Sequence, residues 1–226
     1  SWNTFIIFIG ITFVCSSSFI LNQITDQRSD RVNNKLFLIG EHISKEKSQN
    51  IAKYLLIAGL IALLIFNWFS AMIASLIYLI WGILYSSAPF NWKSRPLLGW
   101  LANSIVGILL FVLGWGIVLK NHQSSPLIPF DISMVYLLFP YALSFSSVAL
   151  ITTLPDLKGD TSSGDRTFPI VFGKSLTLII SLIFIIIAFF VALKNVDPIA
   201  STATIVSLPF FFFAFFRRLE KDILRA

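Results

Sequence analysis

The chain has 226 residues, of which 56% are hydrophobic and 12% charged, and its formal net charge is +6. A soluble domain of this size cannot bury so much apolar surface, so the composition excludes a soluble fold and predicts an integral membrane protein. Because membrane proteins use basic residues to set their orientation, the positive charge is no signal for nucleic acid, and the expected partner is the lipid bilayer and not a nucleic acid.

Seven apolar stretches are long enough to cross the hydrocarbon core of a bilayer as helices. Only Asn67 and Trp68 separate the second stretch from the third, which predicts a tight helical hairpin. The pattern predicts an all-α, polytopic transmembrane helical bundle, with residues 1–226 forming a single domain. The stretches lie at about residues 3–21, 51–67, 69–87, 97–119, 132–151, 175–193 and 198–216.

The first apolar stretch runs directly into a polar motif that contains Asn22, Asp26 and Asp30. If the helix continues through the motif, these residues line one face, since they are four positions apart. Two carboxylates and an amide oxygen so placed suit a hard divalent cation such as Mg²⁺. The alternative is a helix end with solvated charges, in which the aspartates pair with Arg28 or Arg31.

A second pair of aspartates follows the fifth apolar stretch. Asp156 and Asp160 have the same spacing as the first pair, and Thr152 takes the position of Asn22. Carboxylates are scarce in this chain, which has only eleven. Two such pairs at two helix ends favour the interpretation that they are halves of one site.

The basic residues divide unequally between the two faces of the membrane. Fifteen of the 17 Lys and Arg residues lie in alternate connections or in the tail, and only Lys120 and Lys194 lie on the opposite face. By the positive-inside rule, both aspartate pairs and the active site are expected to face the cytoplasm. The basic segments are 22–53, 88–96, 152–174 and 217–226.

Carboxylate pairs at the edge of an apolar bundle predict a substrate with a phosphate head and an apolar tail. Divalent ions held by both pairs would bridge a diphosphate and make it a better leaving group. Basic residues of the same connections would hold phosphate oxygens, although each has an alternative role in orienting the protein. The basic candidates are Arg28, Lys93, Arg95, Lys158 and Arg166.

The first motif resembles the N-D-x-x-D-x-x-x-D signature of the UbiA family of intramembrane aromatic prenyltransferases. Segment 85–89 (Tyr-Ser-Ser-Ala-Pro) is similar to the family's Tyr-Ser/Thr-x-Pro-Pro segment, and segment 93–99 (Lys-Ser-Arg-Pro-Leu-Leu-Gly) to the basic entry of its next helix. Segment 156–173 is similar to the second aspartate signature with its downstream glycines. The matches run in order from about residue 20 to residue 174.

The resemblance implies a bundle around a central cavity, Mg²⁺-assisted ionisation of a polyprenyl diphosphate, and transfer of the prenyl group to a lipophilic acceptor. An aromatic or quinone precursor is the expected acceptor, and Tyr85 would form a hydrogen bond near the diphosphate. The four aspartates would be catalytic. The metal ligands implied by position are Asn22, Asp26, Asp30, Asp156 and Asp160.

The chain departs from the family pattern in three respects. Gln23 stands where many members have Asp, and Thr153 replaces the first Asp of the second signature. The family usually has nine spans with the first motif after the second span, so one helix is expected to be absent at each end. An inactive relative is therefore one alternative, and a cation-binding transporter is another, although transport sites tend to lie near the midplane between broken helices.

Overall fold

The computed structural model describes residues 2–35, 39–122 and 132–217. Within these ranges the chain forms α-helices and no β-strand, with a π-helical segment at Leu79–Tyr85 and a short 3₁₀ turn at Trp92–Ser94. The α-helices are α1 (Trp2–Val32), α2 (Lys45–Phe66), α3 (Trp68–Tyr78), α4 (Pro96–His122), α5 (Ile132–Ile151), α6 (Leu157–Ser163), α7 (Phe168–Phe172), α8 (Lys174–Lys194) and α9 (Pro198–Arg217).

Seven helical segments in the described ranges are long and apolar enough to cross a membrane. This confirms the predicted number, and the boundaries agree except that α1 continues to Val32 and α2 already begins at Lys45. The described part of the chain is an all-α, multi-pass membrane protein. Large apolar side chains stay exposed on the spans, for example Ile65 at 80% and Phe190 at 63%, as expected for surfaces that contact lipid.

The hairpin predicted around Asn67 is present. Asn67 has an extended backbone, ends α2 and begins α3, and its Oδ1 accepts a hydrogen bond of 3.1 Å from the Phe69 backbone N–H. Asn is a preferred residue at the start of a helix for this reason. One polar residue therefore separates two spans.

The chain divides into two compact units. The first unit comprises Ser1–Trp92 and Val112–Ile128, and in it α1 packs along α2. Gly10 and Gly59 allow this close packing, because a Cβ at Gly59 would lie 2.7 Å from the Gly10 carbonyl oxygen. The buried core of this unit contains Ile7, Val14, Leu63, Ala71 and Ala74.

The second unit comprises Lys93–Phe111 and Pro129–Ala226. Here α8 packs against both α5 and α9. Gly107 of α4 lies against an aromatic ring, since a Cβ at this position would lie 2.2 Å from Cγ of Phe145. Leu154, Leu178 and Ala214 form a buried cluster in this unit.

Candidate active site

The polar motif that follows the first apolar stretch is helical, as the sequence predicts. Because α1 is unbroken from Trp2 to Val32, Asn22, Asp26 and Asp30 follow one another at successive turns. All three are half-buried, whereas Gln23 and Arg28 between them are exposed. The motif therefore presents one partly enclosed face of oxygen-bearing side chains in the first unit.

Just after the end of α1, the basic residue Lys35 lies close to this face. The Lys35 backbone N–H donates to the Asp30 carbonyl at 3.0 Å, and Lys35 Nζ lies 3.5 Å from Asp30 Oδ1. The Asp30 side chain is 14% exposed and that of Lys35 45%. The charge of Asp30 is thus partly neutralised by a neighbouring cation. This agrees with the alternative interpretation of the motif, in which the aspartates form ion pairs, except that the partner is Lys35 and not Arg28 or Arg31.

The segment after α3 reaches the same face. Asn22 Nδ2 donates to Ser86 Oγ at 3.3 Å, and Ser86 Oγ donates to the Trp81 carbonyl at 3.0 Å. Ser86 is buried and follows the half-buried Tyr85 at the end of the π-helical segment, a helix type frequent at functional sites. Because the side-chain nitrogen Nδ2 of Asn22 donates to Ser86, the side-chain oxygen Oδ1 of Asn22 is the atom that could bind a cation.

The second aspartate pair lies at the start of a separate short helix and not on a continued span, with Asp156 at the N-cap of α6 and Asp160 in its first turn. The span α5 ends at Ile151, and the chain turns before α6 begins at Leu157. Pro155 disfavours helical backbone in the residue before it, so the sequence contains a reason for this break. Asp156 and Asp160 are half-buried and one turn apart, with the Asp160 N–H donating to the Asp156 carbonyl at 2.9 Å.

Thr152 does not correspond to Asn22 in this arrangement, and that expectation is wrong. Its hydroxyl donates back to the Val148 carbonyl at 2.8 Å, and the residue is exposed. The physical reason is that Thr152 directly follows α5, which ends at Ile151, whereas Asp156 caps the start of α6 and Asp160 lies in its first turn.

The five basic candidates differ in burial. Lys93 is half-buried in the second unit, where burial lowers the pKa of its ammonium and attraction to Asp165 and Asp160 opposes that shift. A half-buried ammonium suits the binding of phosphate oxygens. The other four candidates, Arg28, Arg95, Lys158 and Arg166, are exposed.

Sequence reasoning missed two residues of these clusters. Ser86 follows Tyr85 in the matched segment, and Asp165 follows Gly164, so adjacency to a matched residue was the available signal. Ser86 contacts Asn22, and Asp165 attracts Lys93. Each unit therefore brings one aspartate pair together with residues from another connection.

The donor atoms present suit Mg²⁺. In the described ranges, no cluster of three or more His, Cys, Asp or Glu side chains is close enough to hold a metal. The first face instead offers two carboxylates and the Asn22 amide oxygen, and the second offers two carboxylates. Such all-oxygen, incomplete sets fit Mg²⁺, which keeps waters and is bound by one or two carboxylates together with substrate phosphates.

Three curated relatives resemble the chain at low identity. A digeranylgeranylglyceryl phosphate synthase of Methanobrevibacter smithii is 28% identical over 79% of this chain and 62% of its own length. A chloroplastic 2-acyl-4-prenylphloroglucinol 6-prenyltransferase of Humulus lupulus is 28% identical over 68% of this chain and 38% of its own length. The 34 kDa chain of a bacteriochlorophyll synthase of Chloroflexus aurantiacus is 24% identical over 74% of this chain and 51% of its own length.

The chain spans about half the length of these curated relatives, with shares of 62%, 38% and 51%. No solved structure matches it significantly. The model of the UbiA prenyltransferase family, in contrast, matches residues 1–224. With nearly the whole sequence matched, the chain belongs to the UbiA prenyltransferase family.

Proposed function

We propose that residues 1–226 act as one transmembrane domain of a prenyltransferase. The domain would bind a polyprenyl diphosphate, ionise it with the help of Mg²⁺, and transfer the prenyl group to a lipophilic acceptor. The observation that carries this proposal is the half-buried face of Asn22, Asp26 and Asp30 on the polar end of a membrane-length helix. A diphosphate head bound there would leave its hydrocarbon tail beside apolar spans.

Residues of the first unit would bind one Mg²⁺ ion, which would in turn bind the diphosphate. Asp26 and Asp30 would supply carboxylates and Asn22 its amide oxygen, which Ser86 orients by accepting from the amide nitrogen. When bound, Mg²⁺ neutralises diphosphate charge and improves the leaving group. Tyr85, next to Ser86 in the chain, would form a hydrogen bond near the diphosphate.

Residues of the second unit would also act on a diphosphate. Asp156 and Asp160 would hold a second cation, and Lys93 would bind a phosphate oxygen as negative charge develops on the leaving group. The exposed Arg28, Arg95, Lys158 and Arg166 would attract the anionic substrate to the membrane surface and set the orientation of the protein. The site would face the cytoplasm, because 15 of the 17 basic residues lie in the connections on that side.

The acceptor class is proposed as an aromatic or quinone precursor. Of the three relatives, one is named for a phloroglucinol, one for a glyceryl phosphate and one for bacteriochlorophyll. A phloroglucinol is an aromatic ring, which supports the proposed class. Because the three relatives are named for three different classes of compound, the first experiment compares acceptors.

The departures from the family pattern are compatible with an active enzyme. Gln23 is exposed and lies outside the half-buried face, so an amide there removes no ligand from Asn22, Asp26 or Asp30. The Thr153 hydroxyl donates to the Leu150 carbonyl at 2.6 Å, which satisfies it locally. The electrostatic attraction of Lys93 to Asp160 places a cation near this carboxylate, which argues for an anionic substrate and against a cation transporter.

The proposed function is tested by measuring prenyl transfer by the chain in liposomes. The chain is reconstituted and given radiolabelled prenyl diphosphates with a phenolic acid, a glyceryl phosphate or a chlorin, in Mg²⁺ or in excess EDTA. We expect Mg²⁺-dependent diphosphate release and a labelled product with the phenolic acceptor. Cation flux across the liposome without any diphosphate release would support the transporter instead, and neither activity would support the inactive relative.

A further inference from the structure

A closed set of hydrogen bonds joins the loop before α4 to the loop after α6. Asp165 Oδ1 accepts a hydrogen bond from Ser94 Oγ, and the Ser94 carbonyl accepts one from the Arg166 backbone N–H at 3.2 Å. Ser94 and Asp165 are both half-buried and 71 positions apart in the sequence. Two adjacent residues of one loop therefore hold both the side chain and the backbone of a single serine.

The position of Asp165 is in turn fixed relative to Asp160. Gly164 ends α6 with a left-handed backbone at φ +81°, and the Asp165 N–H donates to the Asp160 carbonyl at 2.9 Å. The Gly164 N–H donates to the Thr161 carbonyl at 3.2 Å, which completes a Schellman motif. The helix end thus holds Asp165 at a set distance from the metal-ligand candidate Asp160.

Lys93 precedes Ser94, is half-buried, and is attracted electrostatically by Asp165 and Asp160. We propose that Asp165 is a positioning residue that holds Ser94 and, through it, keeps the Lys93 ammonium beside Asp160. This inference rests on the proposed function only for its purpose, which is to present a cation to the diphosphate. A long, flexible lysine side chain loses less entropy on binding phosphate if its loop is already held.

The device is tested without substrate by lysine footprinting of the detergent-solubilised chain with an amine-acylating reagent and mass spectrometry. In the wild type, Lys93 should react more slowly than the exposed Lys158. In Asp165→Ala the Lys93 rate should rise about tenfold, as expected for the loss of one charge-assisted hydrogen bond. Asp165→Asn, which can still accept from Ser94, should give a smaller rise, and Thr161→Ala on the exposed side of α6 should give none.

An unchanged Lys93 rate in Ser94→Ala would overturn the inference, because this variant keeps the direct attraction of the Asp165 carboxylate for Lys93 and removes only the bond through Ser94. So would equal increases at Lys93 and Lys158, because that result indicates general loosening of the fold. A thermal unfolding scan of each variant separates loss of folding from local release.

Steady-state kinetics of prenyl transfer provide a second test of the role of Asp165. Asp165→Ala should raise KM for the prenyl diphosphate about tenfold with a smaller effect on kcat, and should add little further effect in a Lys93→Ala background. Independent, multiplying effects of the two substitutions would contradict a role of Asp165 through Lys93. Absence of wild-type turnover would reject the proposed function, whereas the footprinting result would still decide the role of Asp165.

Discussion

Ser147 of α5 and Ser181 of α8 bind each other reciprocally in the interior of the second unit. Ser147 Oγ lies 2.7 Å from the Ser181 carbonyl, Ser181 Oγ lies 2.8 Å from the Ser147 carbonyl, and the two hydroxyl oxygens are 3.1 Å apart. Both residues are fully buried. In a bilayer, where apolar surfaces gain little from meeting one another, small hydroxyl residues of this kind hold helices together.

Replacing Ser147 by Ala should destabilise the protein by about 1 kcal/mol, the usual size of an interhelical hydrogen bond in a membrane protein. Equilibrium unfolding in mixed micelles measures the change. Ser207→Ala is the matched control, because the Ser207 hydroxyl donates within its own helix, to the Ala203 carbonyl at 2.7 Å. Equal effects of the two substitutions would contradict a specific role for the Ser147–Ser181 pair.

Gly59→Ala should destabilise the first unit by about 1–3 kcal/mol, the cost of overpacking a close contact. The added Cβ would lie 2.7 Å from the backbone oxygen of Gly10, which has no flexible side chain to move away. Gly114→Ala is the matched control, since a Cβ there meets no atom within 4 Å, and it should be neutral or slightly stabilising. Unfolding midpoints of both variants test this difference, and a stable Gly59→Ala would show that α1 and α2 can separate without loss.

Ser86→Ala should weaken Mg²⁺ activation about tenfold, because partners that orient a metal ligand contribute 10–100-fold to affinity. The substitution leaves the Asn22 amide without its acceptor while keeping Asn22 itself. Ser87→Ala is a close control, since Ser87 follows the π-helical segment and its Oγ donates to the Gly82 carbonyl of that segment at 2.9 Å. The measurement is the Mg²⁺ concentration for half-maximal diphosphate release, and equal values for the two variants would rule out the orienting role.

The sequence was sufficient for the features that depend on local pattern. Long apolar runs predict the seven spans, and the four-residue spacing of Asn22, Asp26 and Asp30 predicts a shared face once the helix continues. Pro155 is a signal in the sequence that α5 and α6 are separate helices. The equal spacing of the two aspartate pairs nevertheless suggested that both pairs follow a continuous helix. Helical spacing alone therefore misassigned Thr152.

Features that depend on contacts between distant residues were not predictable. Asn22 and Ser86 are 64 positions apart, and Ser94 and Asp165 are 71 apart, so no local pattern joins them. Likewise, five basic residues in similar connections look equivalent in the sequence. Burial distinguishes Lys93 from the exposed Arg28, Arg95, Lys158 and Arg166, and burial is set by packing of the whole unit.

Asp26→Asn and Asp156→Asn should each reduce Mg²⁺-dependent diphosphate release by about 100-fold or more, the loss typical of removing one group that stabilises developing charge. Each substitution keeps the size of the side chain and removes the negative charge that a divalent cation needs, so folding should be unaffected. Glu46→Gln is the control, because Glu46 is an exposed acid in the first turn of α2, remote in sequence from both motifs. Release is measured in liposomes from a radiolabelled allylic diphosphate, with unfolding midpoints recorded for each variant. Full turnover in both aspartate variants would remove the metal assignment, whereas loss in only one would indicate that a single pair carries the cation.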